Sequence, residues 1–166
     1  MGVECSAKCR ADGQCVSKKG NCVALSKFHC YGTSEDKPGD DSICHTHGRC
    51  GVEEGKCAAL TNEDCAKSKA CKDGAQCVAK DGTCQATDAE CQKAQLCIGW
   101  GKCSAVDGVC AVSSDEDCKK SANCGQAGLC SAKDGKCIAA NAGDCRQADL
   151  CKKVGRCRAN EGKCTK

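Results

Sequence analysis

Aromatic side chains are almost absent: Phe28, Tyr31 and Trp100 are the only three in 166 residues. Long aliphatic side chains are scarce too. Leucine occurs five times, at Leu25, Leu60, Leu96, Leu129 and Leu150, and isoleucine three times, at Ile43, Ile98 and Ile138. The 40% apolar content is therefore mostly alanine, valine and cysteine. A single domain of this length normally buries a large aliphatic and aromatic core, and this chain lacks the side chains for one. No apolar run is long enough to cross a membrane as a helix. Residues 1–20 contain no apolar stretch of the leader type. The net charge is only +3, with both signs alternating and no basic block. That speaks against nucleic acid as the main partner, because phosphate binding needs concentrated positive charge. Catalytic signatures are missing as well. There is no Gly-x-Ser-x-Gly elbow, no His-Glu-x-x-His, no phosphate loop and no redox Cys-x-x-Cys. The chain reads as a non-enzyme with no cofactor.

What the chain has instead is cysteine, 24 in all, arranged four per repeat in six repeats. Four copies keep the grid Cys-x5-Cys-x5-Cys-x6-Cys: Cys65, Cys71, Cys77, Cys84; Cys91, Cys97, Cys103, Cys110; Cys118, Cys124, Cys130, Cys137; and Cys145, Cys151, Cys157, Cys164. Two irregular copies precede them: Cys5, Cys9, Cys15, Cys22 and Cys30, Cys44, Cys50, Cys57. The repeats divide the chain at 1–26, 27–60 (with a loop insertion at 31–43), 61–86, 87–113, 114–140 and 141–166. Where burial cannot hold a fold, cross-links must. An even cysteine count on a regular spacing implies disulfides and an oxidising compartment, extracellular or periplasmic. If the protein is exported, its leader has been removed or the chain is an excised segment, and Met1-Gly2 reads as an added start.

Other positions repeat with the cysteines. Gly20, Gly55, Gly82, Gly108, Gly135 and Gly162 each stand two residues before a fourth cysteine, and Glu54, Asp81, Asp107, Asp134 and Glu161 precede five of them. Asp-Gly between short runs marks a type I′ hairpin, whose two central residues both need positive φ. The pattern predicts strands over Gln76–Lys80 and Thr83–Ala86, and likewise in the other copies. Helix starts precede each first cysteine. Thr87-x-x-Glu90 fits a capping box, with Thr61-x-x-Asp64, Ser114-x-x-Asp117 and Asn141-x-x-Asp144 as looser versions. The Ala-, Lys-, Gln- and Leu-rich stretches Ala66–Ala70, Gln92–Leu96 and Arg146–Leu150 suit a helix. Gly74, Gly99, Gly125 and Gly155 are read as its C-caps. The expected fold is a small disulfide-rich α+β protein: six tandem helix–β-hairpin units in an elongated array, with no single hydrophobic core.

Four cysteines allow three pairings. The first and second are about 9 Å apart along a helix. The fourth lies roughly 7 Å further down the hairpin than the third. Packing the hairpin antiparallel on the helix favours the nested pairing, first to fourth and second to third. The alternated pairing, first to third and second to fourth, stays open. A bond closing a loop of this size contributes on the order of 3 kcal/mol.

Candidate sites are few. A thiolate metal cluster would need pairs two to four residues apart, and only Cys5 and Cys9 are that close. His29, His45 and His47 all fall in the second repeat. If His45 and His47 lay on an extended segment they would share a face, and a Cys30–Cys44 proximity would gather the three around Zn or Cu. The insertion Tyr31–Ile43 carries Glu35, Asp36, Asp40 and Asp41 around Pro38-Gly39 but lacks the ligand spacing of a Ca²⁺ loop. Loops on rigid scaffolds often carry binding function, so Tyr31 is one interface candidate. Trp100, between Gly99 and Gly101, is the other.

The grid Asp-Cys-x5-Cys-x3-Gly-x-Cys-x3-Asp-Gly-x-Cys-x-Ala resembles cysteine-rich tandem repeats in predicted exported proteins of myxobacteria and related bacteria. The likeness covers Thr61 to Lys166 well and Met1 to Ala59 loosely, and it implies no particular activity. The short Cys5–Cys9 gap and the long Cys30–Cys44 gap depart from it. The expected function is an extracellular structural or protein-interaction module, a spacer, adhesive or multivalent binder of a protein or cell-surface partner, with self-association open to it. The alternatives are a secreted inhibitor or toxin-like binder acting through residues 31–43, and a thiolate/His metal-binding protein. Paired melts separate the last from the rest. Excess phosphine reductant should unfold the chain, while excess EDTA should leave its circular dichroism unchanged. Intact mass should also show 24 hydrogens lost relative to the reduced chain. Collapse in EDTA alone would overturn the disulfide reading.

Overall fold

The computed structural model describes residues 16–18, 21–32 and 39–166. The expected roles of Cys5, Cys9, Cys15, Gly20, Glu35, Asp36 and Pro38 fall outside these. Repeats 2 to 6 each hold helical turns followed by a β-hairpin, and repeat 1 contributes the hairpin Val16–Lys18 with Asn21–Val23. The chain divides into two units, the first ending at Ala86 and the second spanning Thr87–Lys166.

The hairpins form where the sequence puts them. Among the described residues the six sheets are all two-stranded and antiparallel. In repeat 3 the strands are Val78–Lys80 and Thr83–Gln85, one or two residues shorter at their outer ends than expected. Asp81 and Gly82 between them both have positive φ, as do Asp107-Gly108, Asp134-Gly135, Glu54-Gly55 and Glu161-Gly162. The register is fixed by the turn. It sets a small residue opposite most fourth cysteines: Ala79 opposite Cys84, Ala105 opposite Cys110, Ala132 opposite Cys137 and Ala159 opposite Cys164.

The helical part differs from the single helix expected. Each regular repeat has two short helices, as in Asn62–Ala66 and Lys69–Gly74 of repeat 3. The stretch Ala66–Ala70 is broken at Ser68, which is fully buried. The Ser68 hydroxyl donates to Cys65 O at 2.7 Å and accepts from the Cys71 N–H at 3.1 Å. Ser121 makes the same turn in repeat 5, while Ala94 and Ala148 stand there without a side-chain cap. The break lets two successive cysteines of one segment face different partners. The expected starts hold as N-caps at Thr61, Thr87, Ser114 and Asn141, but the complete capping box is Thr61 with Asp64 and not Thr87 with Glu90, whose carboxylate accepts from the Thr87 hydroxyl instead of the Thr87 N–H. The expected stops hold only at Gly155. Gly74 is the last helical residue of its segment, and Gly99 and Gly125 lie inside helices. The left-handed C-caps are Ala75, Gly101 and Gly128. Ala75 occupies that conformation at a cost of about 1 kcal/mol relative to glycine.

The disulfides take the nested pairing. The outer bonds are Cys30–Cys57, Cys65–Cys84, Cys91–Cys110, Cys118–Cys137 and Cys145–Cys164. The inner bonds are Cys44–Cys50, Cys71–Cys77, Cys97–Cys103, Cys124–Cys130 and Cys151–Cys157. Cys22 is disulfide-bonded too. The first cysteines of repeats 2 to 6 have no solvent exposure at all. Each outer bond joins the first helix to the returning strand. A side chain of that helix also holds the outgoing strand: Asn62 accepts from the Ala79 N–H at 2.9 Å, Asp88 from Ala105 at 2.7 Å and Asp115 from Ala132 at 2.6 Å.

Within each unit, consecutive repeats share a recurring joint. The residue two after a fourth cysteine donates its N–H to the turn glycine of the next repeat: Ala24 to Gly55 O at 2.7 Å, Ala59 to Gly82 O and Ala139 to Gly162 O, both at 2.9 Å. The same alanines pack on the outer disulfide of that next repeat, as Ala59 does with Cys65 and Cys84, and Ala139 with Cys145 and Cys164. Burial among the described residues is thus distributed over small clusters rather than one core.

Inner and outer disulfides should differ in worth. The outer bond of repeat 6 spans 19 residues and the inner one 6. Loop closure alone makes the outer bond worth about 1 kcal/mol more, and its two cysteines are buried at a joint. Cys145→Ala/Cys164→Ala should therefore lose at least that much more stability than Cys151→Ala/Cys157→Ala in denaturant titrations without reductant. Equal losses would contradict the joint's role.

Candidate functional site

The residue before the first cysteine is acidic in repeats 3 to 6, and in repeats 5 and 6 it lies in the joint. Asp117 and Asp144 are buried. Asp117 accepts from the hydroxyl of Ser104, which belongs to the preceding repeat, at 2.9 Å and from the Ser113 N–H at 2.8 Å. Asp144 accepts from the Ser131 hydroxyl and the Ala140 N–H, both at 2.8 Å. Ser104 and Ser131 follow the third cysteine of their repeats. Repeats 4, 5 and 6 are thus tied by the same hydroxyl-to-carboxylate contact. In the first unit Gly51 stands at the serine position, and Asp64 turns back to its own cap, accepting from the Thr61 N–H at 3.2 Å.

This frame holds the exposed apolar side chains. Trp100 ends the second helix of repeat 4, Gln95–Trp100, and is 64% exposed. Gly101 behind it has φ +72°, and a Cβ there would lie 2.7 Å from Cys137 Sγ and 3.0 Å from Asp117 O. Glycine is required at that position twice over, by conformation and by close approach. The helix end is therefore clamped against repeat 5 while its indole faces solvent. Ile98, Val106 and Val109 of the same repeat are also exposed. Val106 and Val109 are cross-strand partners around the Asp107-Gly108 turn. Four of the five exposed large apolar residues in the second unit therefore belong to one repeat; Val154 is the fifth. Of these only Trp100 stands out in the sequence by itself. The valine pair emerges when hairpins are compared, since the equivalent pairs are Glu53–Lys56, Lys80–Thr83, Lys133–Lys136 and Asn160–Lys163.

The histidines are not brought together. His45 and His47 lie on the helix Ile43–His47, not on an extended segment, so two residues turn them to opposite sides. His29 turns back on its own helix cap, with Nδ1 3.1 Å from Ser26 Oγ. Cys30 and Cys44 bond to Cys57 and Cys50, not to each other. Among the described residues no three His, Cys, Asp or Glu side chains form a metal-binding group. The cysteines of repeats 2 to 6 are oxidised and offer no thiolates. Tyr31 is half-buried, with the Lys27 ammonium 5.9 Å from its ring centroid and 5.6 Å from that of Phe28. The insertion is closed at its base by the Gly39 N–H, which donates to Tyr31 O at 2.9 Å. Asp40 and Asp41 follow in the turn before the Ser42 cap. Among the described residues no helix is long and apolar enough to cross a membrane.

The chain matches no protein-family model, no curated protein and no solved structure. Its function has to be read from geometry.

The joint carboxylates predict an acid response. Burial pushes the Asp117 carboxyl up, but the hydrogen bonds from the Ser113 amide, the Ser104 and Ser113 hydroxyls and the Ser114 amide outweigh it and hold it below the usual carboxylate range. Its contribution is thus complete above the unfolded value of about 3.9 and is lost as pH falls through the folded value. Asp117→Asn should lower stability at neutral pH by on the order of 1–3 kcal/mol. It should also flatten the acid limb of the stability curve. An unchanged acid limb would contradict this assignment.

Proposed function

We propose that this protein is a non-catalytic interaction module of the extracellular space or periplasm, in which a constant disulfide frame displays different side chains from repeat to repeat. The observation that carries this reading is the concentration of exposed apolar side chains on repeat 4. Repeats 2 to 6 each have a second-helix end, and the residue there is His47, Gly74, Trp100, Ala127 or Val154. The frame accepts different residues at that position, because the close approach to the next repeat lies one residue later, at the left-handed cap. Trp100 and the Val106–Val109 pair have the chemistry of interface anchors: large, apolar and held on rigid elements. The oxidised cysteines fit a compartment that keeps disulfides intact. The partner on this reading is a protein or cell-surface structure.

The test uses capture from surface extracts of the producing organism, followed by affinity measurement with the captured partner. Trp100→Ala should weaken binding by about 2 kcal/mol, roughly thirtyfold, and Val106→Lys/Val109→Lys should act in the same direction. Deleting residues 114–140 re-creates a like joint, since Ser104 then meets Asp144, and should leave binding largely intact. Full binding by Trp100→Ala would sink the reading. Loss confined to a variant trimmed at residues 31–43 would instead favour an inhibitor acting through that loop.

A further inference from the structure

A groove of about 620 Å³ opens at the joint of repeats 5 and 6. Its floor is apolar, formed by Ala127, Leu129 and Leu150, and its rim carries Arg156, Lys163 and Lys166. Its apolar floor combines a small residue with two leucines: Leu129 and Leu150 stand where the joint of repeats 4 and 5 has Lys102 and Asn123. Ala127 occupies in repeat 5 the position that Trp100 occupies in repeat 4, directly before the left-handed cap. Its size lies within the range of sites that accept small ligands or single anchoring side chains.

Charge decides what fits. Residues 141–166 hold seven Lys/Arg against three Asp/Glu, a net of +4, while the whole chain carries +3. Residues 1–140 therefore sum to −1. The excess positive charge of the protein is that of repeat 6. Lys153 is paired with Asp149 at 2.9 Å, but among the described residues Arg156, Lys163 and Lys166 make no ion pair. Arg156 and Lys163 are exposed beside the apolar floor. A complementary occupant carries an apolar group and carboxylates within a few ångströms of each other.

We propose that this groove binds a segment of a partner protein in which an aliphatic side chain is flanked by acidic residues. The apolar side chain enters between Leu129 and Leu150, and the flanking carboxylates meet Arg156 and Lys163. A concave site between two repeats receives a protruding side chain, whereas a bilayer surface meets convex, protruding apolar groups. Nucleic acid would use the cations but not the leucines. The inference goes beyond the function proposed above, because the groove contains neither Trp100 nor the valine pair, and its failure leaves that reading standing.

The test is a fluorescence-anisotropy titration of the oxidised full chain with the labelled peptide Glu-Glu-Leu-Glu-Glu. Saturable binding is expected. It should fall at least tenfold when the peptide leucine is replaced by alanine, when its glutamates are replaced by lysine, and in Arg156→Glu/Lys163→Glu. Ala127→Trp, which sets a bulky ring on the lining of the groove, should obstruct the peptide with every charge intact. It keeps the proposal testable should the charge-reversed protein fail to fold. Four results would overturn it: no saturable binding up to about 1 mM peptide, equal binding of the alanine peptide, unchanged affinity in Ala127→Trp, or tighter Arg156- and Lys163-dependent binding to phosphatidylserine vesicles or to an oligothymidine.

Discussion

The outer disulfide is the bond on which the rest of the structure depends. It joins the first helix of a repeat to the strand that returns from the hairpin. Its first sulfur comes from a cysteine with no solvent exposure in any of repeats 2 to 6. In repeats 2, 3 and 6 an alanine of the preceding repeat packs on it, and in repeats 3, 5 and 6 the left-handed cap of the preceding helix closes over it. A Cβ on Gly48 would lie 2.4 Å from Cys84 Sγ, one on Gly101 2.7 Å from Cys137 Sγ and one on Gly128 2.6 Å from Cys164 Sγ. The covalent cross-link of one repeat is thus also the packing surface for its neighbour. A chain this poor in leucine and aromatics replaces a hydrophobic core with a series of such contacts. Each is small, and each is anchored by a bond that restricts the unfolded state.

That arrangement decides what can vary. Positions that touch the joint are nearly fixed in chemistry: the cysteines, the alanine two residues beyond the fourth, the acidic turn residue with its glycine, and the left-handed cap. Positions one residue away are free. His47, Gly74, Trp100, Ala127 and Val154 all precede a cap of the same conformation. The joint itself comes in two versions. In the first unit backbone contact and alanine packing suffice. In the second, Ser104 and Ser131 add a hydroxyl to a buried carboxylate of the next repeat, and Asp117 and Asp144 also accept from the backbone N–H groups of Ser113 and Ala140.

Much of this was legible before any coordinates, and the parts that were not have physical causes. Asp81-Gly82 and its equivalents identify the turns, because few sequences accept two successive positive φ values. The N-caps at Thr61, Thr87, Ser114 and Asn141 were legible for a similar reason: a side-chain oxygen must meet a free N–H. The break in the helix was harder. Ser68 and Ser121 signal it by being good caps, but Ala94 and Ala148 make the same break with no side-chain cap, and alanine favours a continuous helix. The disulfides, not local preference, impose it. Nothing local distinguishes Gly101 from Gly99 or Gly128 from Gly125 as the cap; contact with the next repeat does. Grouping the histidines requires an extended segment, and the Ser42 cap, which accepts from the His45 N–H at 3.0 Å, makes that segment a helix.

The binding surfaces follow from the same division between joint and display. Trp100 and Ala127 stand at one position of the frame and have opposite consequences. Where the side chain is large it protrudes, and the repeat presents an apolar anchor to solvent. Where it is a methyl group, the space it leaves is walled by Leu129 and Leu150, and the joint becomes a groove. Neither choice disturbs the clamp, because Gly101 and Gly128 make the same close approach to the next outer disulfide in both cases. A repeat protein built in this way can acquire a protruding or a concave site by a few substitutions around one joint, since Leu129 and Leu150 stand where the preceding joint has Lys102 and Asn123. The concentration of positive charge in repeat 6 then gives the concave site a preference that the frame alone does not supply.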